Sequence, residues 1–170
     1  MITISESGLT FGEFSEDCLY HIEKSAYILT LEHVKIAEFI EYRKKPQSNN
    51  QLLIIEAKSS IPKESEQFWD EIKDKLLNSL TLLFTGALKR HPLIFDELPQ
   101  NFKALDWETL DIKLLLVIPT IPTIPTEYLA PITDQFRKEL VTLRQIWGIP
   151  PLSIVVLNAD KARQYHLAMP

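Results

Sequence analysis

Leu52-Leu53-Ile54-Ile55-Glu56-Ala57-Lys58 orients the reading of the whole chain. Four aliphatic residues in succession, two of them β-branched, predict a short buried strand. Residues two apart on a strand face the same side, so Glu56 and Lys58 leave its C-terminal end together. Upstream, Lys44 to Asn50 is polar and holds Pro46, which predicts a hairpin loop. The loop's other arm is Val34 to Tyr42, rich in β-branched and aromatic residues, with Glu38 inside its apolar run. Ala26 to Leu31 predicts a further strand, although the turn at Glu32-His33 lacks Gly or Asn. Phe14 to Lys24 reads equally as a short helix or as the start of the first strand.

Downstream, a helix is expected from about Glu64 to Arg90, just after Pro62. Phe68, Ile72, Leu76, Leu80, Leu83, Phe84 and Ala87 recur at helical spacing, with Lys73, Asp74 and Lys75 between them. Residues 91–111 form a loop-like excursion with Pro92 and Pro99, and Leu114 to Ile118 is a second buried strand. Ile-Pro-Thr then repeats three times from Ile118 to Thr126. Proline at every third position prevents helix and central-strand pairing, so this segment is an extended connector. A stiff strand-to-helix link is a simpler reading of it than a partner-docking strip. Pro131 to Trp147 predicts a second helix, with Pro131 in its first turn and Gly148 past its end. Ser153 to Leu157 closes the sheet.

The order is three antiparallel strands, helix, strand, helix, strand. Helical crossovers imply parallel, right-handed pairing of the later strands. The expected fold is α/β, one domain over residues 1–170, with a mixed central sheet whose antiparallel three-stranded meander precedes a helix-strand-helix-strand run.

Composition bounds the function classes. One cysteine, Cys18, excludes an internal disulfide and zinc ligation of the usual Cys/His spacing, and a reducing, cytoplasmic setting is the simplest expectation. Met1 to Thr10 carries no basic leader segment, and no stretch reaches the roughly 18 apolar residues of a membrane helix. The formal net charge of −5 lacks the basic field of a free-standing nucleic-acid binder. A local patch such as Arg43-Lys44-Lys45 leaves room for weak binding or for binding within a complex. Four glycines leave little room for a phosphate-cradling loop. His21, His33, His91 and His166 form no spaced metal motif, and Trp69, Trp107 and Trp147 read as core or rim.

If the Val34 and Leu52 strands form a hairpin, Glu38 can stand beside Glu56 and Lys58. Two carboxylates and a backbone carbonyl make a hard oxygen site for Mg²⁺ or Mn²⁺. Such an ion generates a hydroxide nucleophile and stabilises charge in phosphodiester hydrolysis, while a nearby lysine orients the water or neutralises developing charge.

These motifs, Ile36-Ala37-Glu38-Phe39 and Ile55-Glu56-Ala57-Lys58, resemble the PD-(D/E)xK nuclease superfamily, the restriction-endonuclease-like fold. That family's helix, three-stranded meander, crossover helix and further strand are similar in order to residues 14–118. The resemblance implies that Glu38 and Glu56 bind metal and that Lys58 serves the attacking water. It also implies an acid from the first helix, for which Glu13, Glu16 and Glu23 are candidates. The chain departs from the pattern in having Glu rather than Asp as first acid and in lacking the Pro-Asp dipeptide. Glu41 competes for that role but lies on the opposite strand face from Glu38 unless a bulge intervenes. Gln67 sits where some relatives place a further polar residue.

The expected activity is a metal-dependent nuclease, or nuclease subunit, using Glu38, Glu56 and Lys58, with a homodimer or a partner protein as possible assembly. The rival is a noncatalytic interaction module on the same fold, within a nucleic-acid-processing or defence complex. A small-molecule enzyme on a doubly wound sheet lacks its fingerprint.

Overall fold

The computed structural model of the chain describes residues 1–62, 65–122 and 128–170. Its centre is a five-stranded mixed sheet in the order β3-β4-β5-β6-β7. An antiparallel hairpin, β1 (Ile2–Glu6) and β2 (Leu9–Phe14), precedes it as a separate two-stranded sheet. The edge strand β3 (Leu19–Tyr20) and β4 (Phe39–Arg43) follow, then β5 (Gln51–Ala57), with β3, β4 and β5 antiparallel. Helix α1 (Glu66–Ala87) and the short α2 (Pro92–Glu97) lead to β6 (Asp111–Val117). Helices α3 (Leu129–Glu139) and α4 (Val141–Trp147) then lead to β7 (Ile154–Leu157), and α5 (Ala159–Gln164) follows. β6 pairs parallel to β5, and β7 parallel to β6. The α/β class and the mixed sheet, with its parallel later strands, are as the sequence predicts.

Strand alternation divides the interior in two. Ile40, Tyr42, Leu52, Ile54, Leu114, Leu116, Ile154 and Val156 face α1 and α3, where Ile72, Leu76, Leu80, Leu83 and Phe136 are buried against them. Phe39, Leu53, Ile55, Leu115 and Val117 face the other way, onto Phe11 and Phe14 of the hairpin and Ala162 and Leu167 near the C-terminus. Both faces are covered, which is why β5 and β6 read as uninterrupted apolar runs.

The first expected strand is not a strand. Ala26 to Leu31 is wound into turns, including a 3₁₀ turn at Ile28–Thr30. Local hydroxyls compete with a ladder there. Ser25 Oγ accepts from the Ile28 N–H at 3.2 Å, and Thr30 Oγ1 donates to the Tyr27 carbonyl at 2.6 Å. Glu97 at the end of α2 fixes the turn by accepting from Ser25 Oγ and from the Tyr27 N–H. Leu19–Tyr20 takes the edge position instead, after a 3₁₀ turn at Glu16–Cys18, so the segment from Phe14 to Lys24 holds both a helical turn and a strand start.

The Val34 strand is shorter than predicted and begins at Phe39. Residues 34–38 run against α1: the Ala37 N–H donates to Ser79 Oγ, and Asn78 donates to the Lys35 carbonyl. The expected helix start at Glu64 lies outside the described residues, as does the Ile-Pro-Thr connector from residue 123 onward. The helix predicted from Pro131 to Trp147 begins earlier and steps at Leu140, which stays in the core while the Arg144 N–H donates back to its carbonyl at 2.9 Å. Gly148 ends α4 at φ +65°, the left-handed cap that glycine adopts without a Cβ penalty. No helix among the described residues is long and apolar enough to cross a membrane.

Candidate functional site

The β4–β5 register positions the acids. Phe39 pairs with Ile55, and the Glu38 N–H donates to the Ile55 carbonyl at 3.1 Å, extending the ladder one residue. Glu38 therefore stands opposite Glu56. By strand alternation both share the face of Ile40 and Ile54, the face covered by α1. Lys58 continues that face one step beyond β5, its N–H held by the Val117 carbonyl at 2.9 Å.

Helix α1 completes the cluster from above. Glu71, Lys75 and Ser79 are four residues apart and so lie on one helical stripe. They meet Lys58, Glu56 and Ala37 respectively. Lys75 Nζ is 2.8 Å from Glu56 Oε1 and 3.7 Å from Glu38 Oε1. Lys58 Nζ is 2.7 Å from Glu71 Oε1 and 3.4 Å from Glu56 Oε1. The helix thus offers a cation to the strand acids and an acid to the strand lysine.

Glu56 is completely buried. Neither of its oxygens receives a hydrogen bond of good geometry, although the Lys75 and Lys58 ammoniums lie within ion-pair distance of Oε1. Both are buried acceptors without a hydrogen-bond donor of good geometry among the described residues, an expensive arrangement in a low-dielectric interior. Burial pushes the Glu56 carboxyl pKa up, against the pull of the Lys75 and Lys58 ammoniums. Glu38 is raised to about 8, first by burial, then by a hydrogen bond with Glu23 and by the negative charge of Glu56. Burial works against the Lys58 ammonium, but its bond to Glu71 and the charge of Glu56 outweigh this and raise its pKa. Glu71 is lowered by the same hydrogen bond to Lys58.

The three residues singled out from sequence, Glu38, Glu56 and Lys58, are brought together. Of the three upstream acids, Glu23 joins them through Glu38, while Glu13 and Glu16 are exposed on β2 and on the Glu16–Cys18 turn. Glu41 lies on the far face of β4, where Arg43 grips both its oxygens at 2.7 and 2.8 Å. Gln67 is exposed one turn before Glu71. Sequence reasoning missed Glu71 and Lys75. The signal was the helical phase, since Lys75 immediately precedes buried Leu76 and lies one turn from buried Ser79.

A cleft of about 320 Å³, lined by Glu23, Lys75, Lys35 and apolar residues from Ile28 to Ile36, opens beside the cluster. A larger one of about 570 Å³ lies between α3, β7 and α5 and contains none of the cluster residues. Among the described residues, no group of three or more His, Cys, Asp or Glu side chains is arranged to hold a metal ion. The carboxylate pair still fits a hard divalent cation in its chemistry: two facing acids, one of them with both oxygens buried and without a hydrogen-bond partner. Comparison with known proteins finds no matching family model, no matching curated protein and no matching solved structure.

Proposed function

We propose that the chain is a metal-dependent phosphodiester hydrolase, acting on nucleic acid as a nuclease or as a nuclease subunit. The observation that supports this reading is the convergence of Glu38, Glu56 and Lys58 on one sheet face, with both oxygens of Glu56 buried and without a hydrogen-bond partner. The resemblance to restriction-endonuclease-like domains supplies the reaction class. A bound Mg²⁺ or Mn²⁺ would contribute Lewis acidity and an activated water. Glu38 and Glu56 would hold the ion. Lys58 would orient the attacking water and offset charge gathering on the phosphate oxygens, its ammonium aimed by Glu71 at 2.7 Å. The net charge of −5 favours a chain that meets nucleic acid weakly, or through a partner protein.

The test is Mn²⁺-dependent cleavage of single- and double-stranded DNA and of RNA by the purified chain, with Glu56→Gln in parallel. Cleavage by the wild type that Glu56→Gln abolishes supports the reading; equal traces from both overturn it. A second reading, a noncatalytic interaction module on the same fold, is favoured by the Lys75 ammonium beside both acids. A module would bind its complex undiminished with Glu56→Gln and cleave nothing.

A further inference from the structure

The Lys75 ammonium lies within ion-pair distance of both candidate metal ligands, 2.8 Å from Glu56 and 3.7 Å from Glu38. One turn earlier on the same helix, Glu71 takes the candidate catalytic lysine, Lys58, at 2.7 Å. Every charged group that hydrolysis would use is therefore already engaged by an opposite charge from α1. We propose that α1 carries a built-in mask for this site, in which Lys75 stands in for a divalent cation between Glu38 and Glu56 and must be displaced before an ion binds. The inference rests on the reading that this carboxylate pair takes a metal.

Two features of the site support displacement over a permanent ion pair. Lys75 lies 2.8 Å from Glu56 Oε1, yet neither buried oxygen of that carboxyl receives a hydrogen bond of good geometry, whereas a divalent cation carries enough charge for both acids and can coordinate either oxygen. The released ammonium also has a destination. Lys75 and Glu23 line the same cleft, so a rotation of the flexible lysine stem brings Nζ toward solvent and toward the Glu23 carboxylate. Because α1 is anchored by Ile72, Leu76, Leu80 and Leu83 in the core, the exchange requires side-chain motion and no movement of the helix.

The wild-type chain supplies the primary test. Mn²⁺ is titrated against the protein by calorimetry, and amine acetylation at Lys75 is followed by peptide mass spectrometry across the same titration. Labelling of Lys75 is expected to rise about tenfold or more as the ion saturates, while the exposed Lys44 serves as the unchanged reference. Lys75→Met should bind Mn²⁺ at least about tenfold more tightly than wild type, and Lys75→Met combined with Glu56→Gln should lose that gain. Tight binding to Lys75→Met with none to wild type supports the mask equally. Binding to wild type with unchanged Lys75 labelling overturns the mask alone. Absence of binding to wild type and to Lys75→Met alike overturns the metal-site reading and the mask with it. Should Lys75→Met fail to fold, Lys75→Gln, which also removes the ammonium, takes its place in the same titration.

Discussion

The Ala37 N–H donates a 2.9 Å hydrogen bond to the side-chain oxygen of Ser79, tying the residue just before Glu38 to the middle of α1. Ser79 is completely buried, so no water can replace it. Ser79→Ala strands the Ala37 N–H and is expected to cost about 1–3 kcal/mol. A lower urea midpoint with an unchanged denaturant slope is the expected result. An unaltered midpoint would show that the bond contributes nothing.

That bond also explains part of what the sequence leaves illegible. Val34 to Ala37 has strand composition, yet the backbone of Lys35 and Ala37 is bonded to Asn78 and Ser79 on a helix some 40 residues away, which no local pattern reveals. The turns after Ser25 escape for the same reason, since their anchor is Glu97 on α2. The β1–β2 hairpin was legible and went unread: Ile2, Ile4, Leu9 and Phe11 bracket Ser7-Gly8, whose φ values of 50° and 81° make the tight turn. Helix α5 announces itself only by Asn158, whose side chain accepts from the Lys161 N–H at 2.9 Å over six residues, too few to show a period. By contrast the existence and type of β5, β6 and α1 are legible, because burial on two faces, or on one helical stripe, leaves a pattern in the sequence itself. Only the bounds differ, β6 starting at Asp111 instead of Leu114 and α1 ending at Ala87 instead of Arg90. In the site, strand parity placed Glu56 with Lys58. Lys75 hid in Lys73-Asp74-Lys75, which has the look of a solvated face.

Arg43 should matter to the fold and not to the site. Besides its grip on Glu41, its guanidinium donates to the Tyr165 carbonyl at 2.8 Å and to the His166 carbonyl at 3.2 Å, fastening the end of α5 to β4. Arg43→Met leaves Glu41 poorly solvated and unpaired. A loss of roughly 2–4 kcal/mol is expected, with faster amide hydrogen exchange over residues 159–168. Calorimetric Mn²⁺ affinity should be unchanged, because Glu41 and Arg43 face away from Glu38 and Glu56; a parallel loss of affinity would contradict that separation.

Lys58 and Glu71 divide binding from rate. On the hydrolase reading, Lys58→Ala removes charge stabilisation made mainly in the transition state, and cleavage should fall about 10²-fold or more. Metal affinity should not fall, since an ammonium is not a ligand. Glu71→Gln leaves the lysine in place but loosens its aim, so a smaller loss, about tenfold, is expected in kcat. Measuring kcat beside the calorimetric Kd for both variants checks the order. Equal rates for wild type and Lys58→Ala would remove Lys58 from the chemistry.

Glu38 should give the fold a pH dependence of unusual sign for a carboxylate. Glu23, Glu56 and Lys75 face it, and burial together with the two acids raises its pKa to about 8 from the ordinary 4.5. A group whose pKa is higher in the folded than in the unfolded chain stabilises the fold fully below the unfolded value. The stabilisation is then lost as pH climbs through the folded one. Stability attributable to Glu38 should therefore decline from about pH 4.5 to about pH 8 and level off above it. The size is on the order of 2 kcal/mol, because Lys75 at 3.7 Å and side-chain relaxation compensate part of the ionised form. Burial lowers the His21 pKa and gives a contribution of opposite slope, so the wild-type curve alone is not diagnostic. The difference between wild type and Glu38→Gln isolates the carboxyl, since glutamine keeps the shape and cannot ionise. Urea midpoints at half-unit steps from pH 5 to pH 9 should show wild type losing ground to Glu38→Gln as pH rises. Parallel curves would mean that Glu38 ionises at its ordinary pKa and that the acids are farther from one another's influence than their geometry implies.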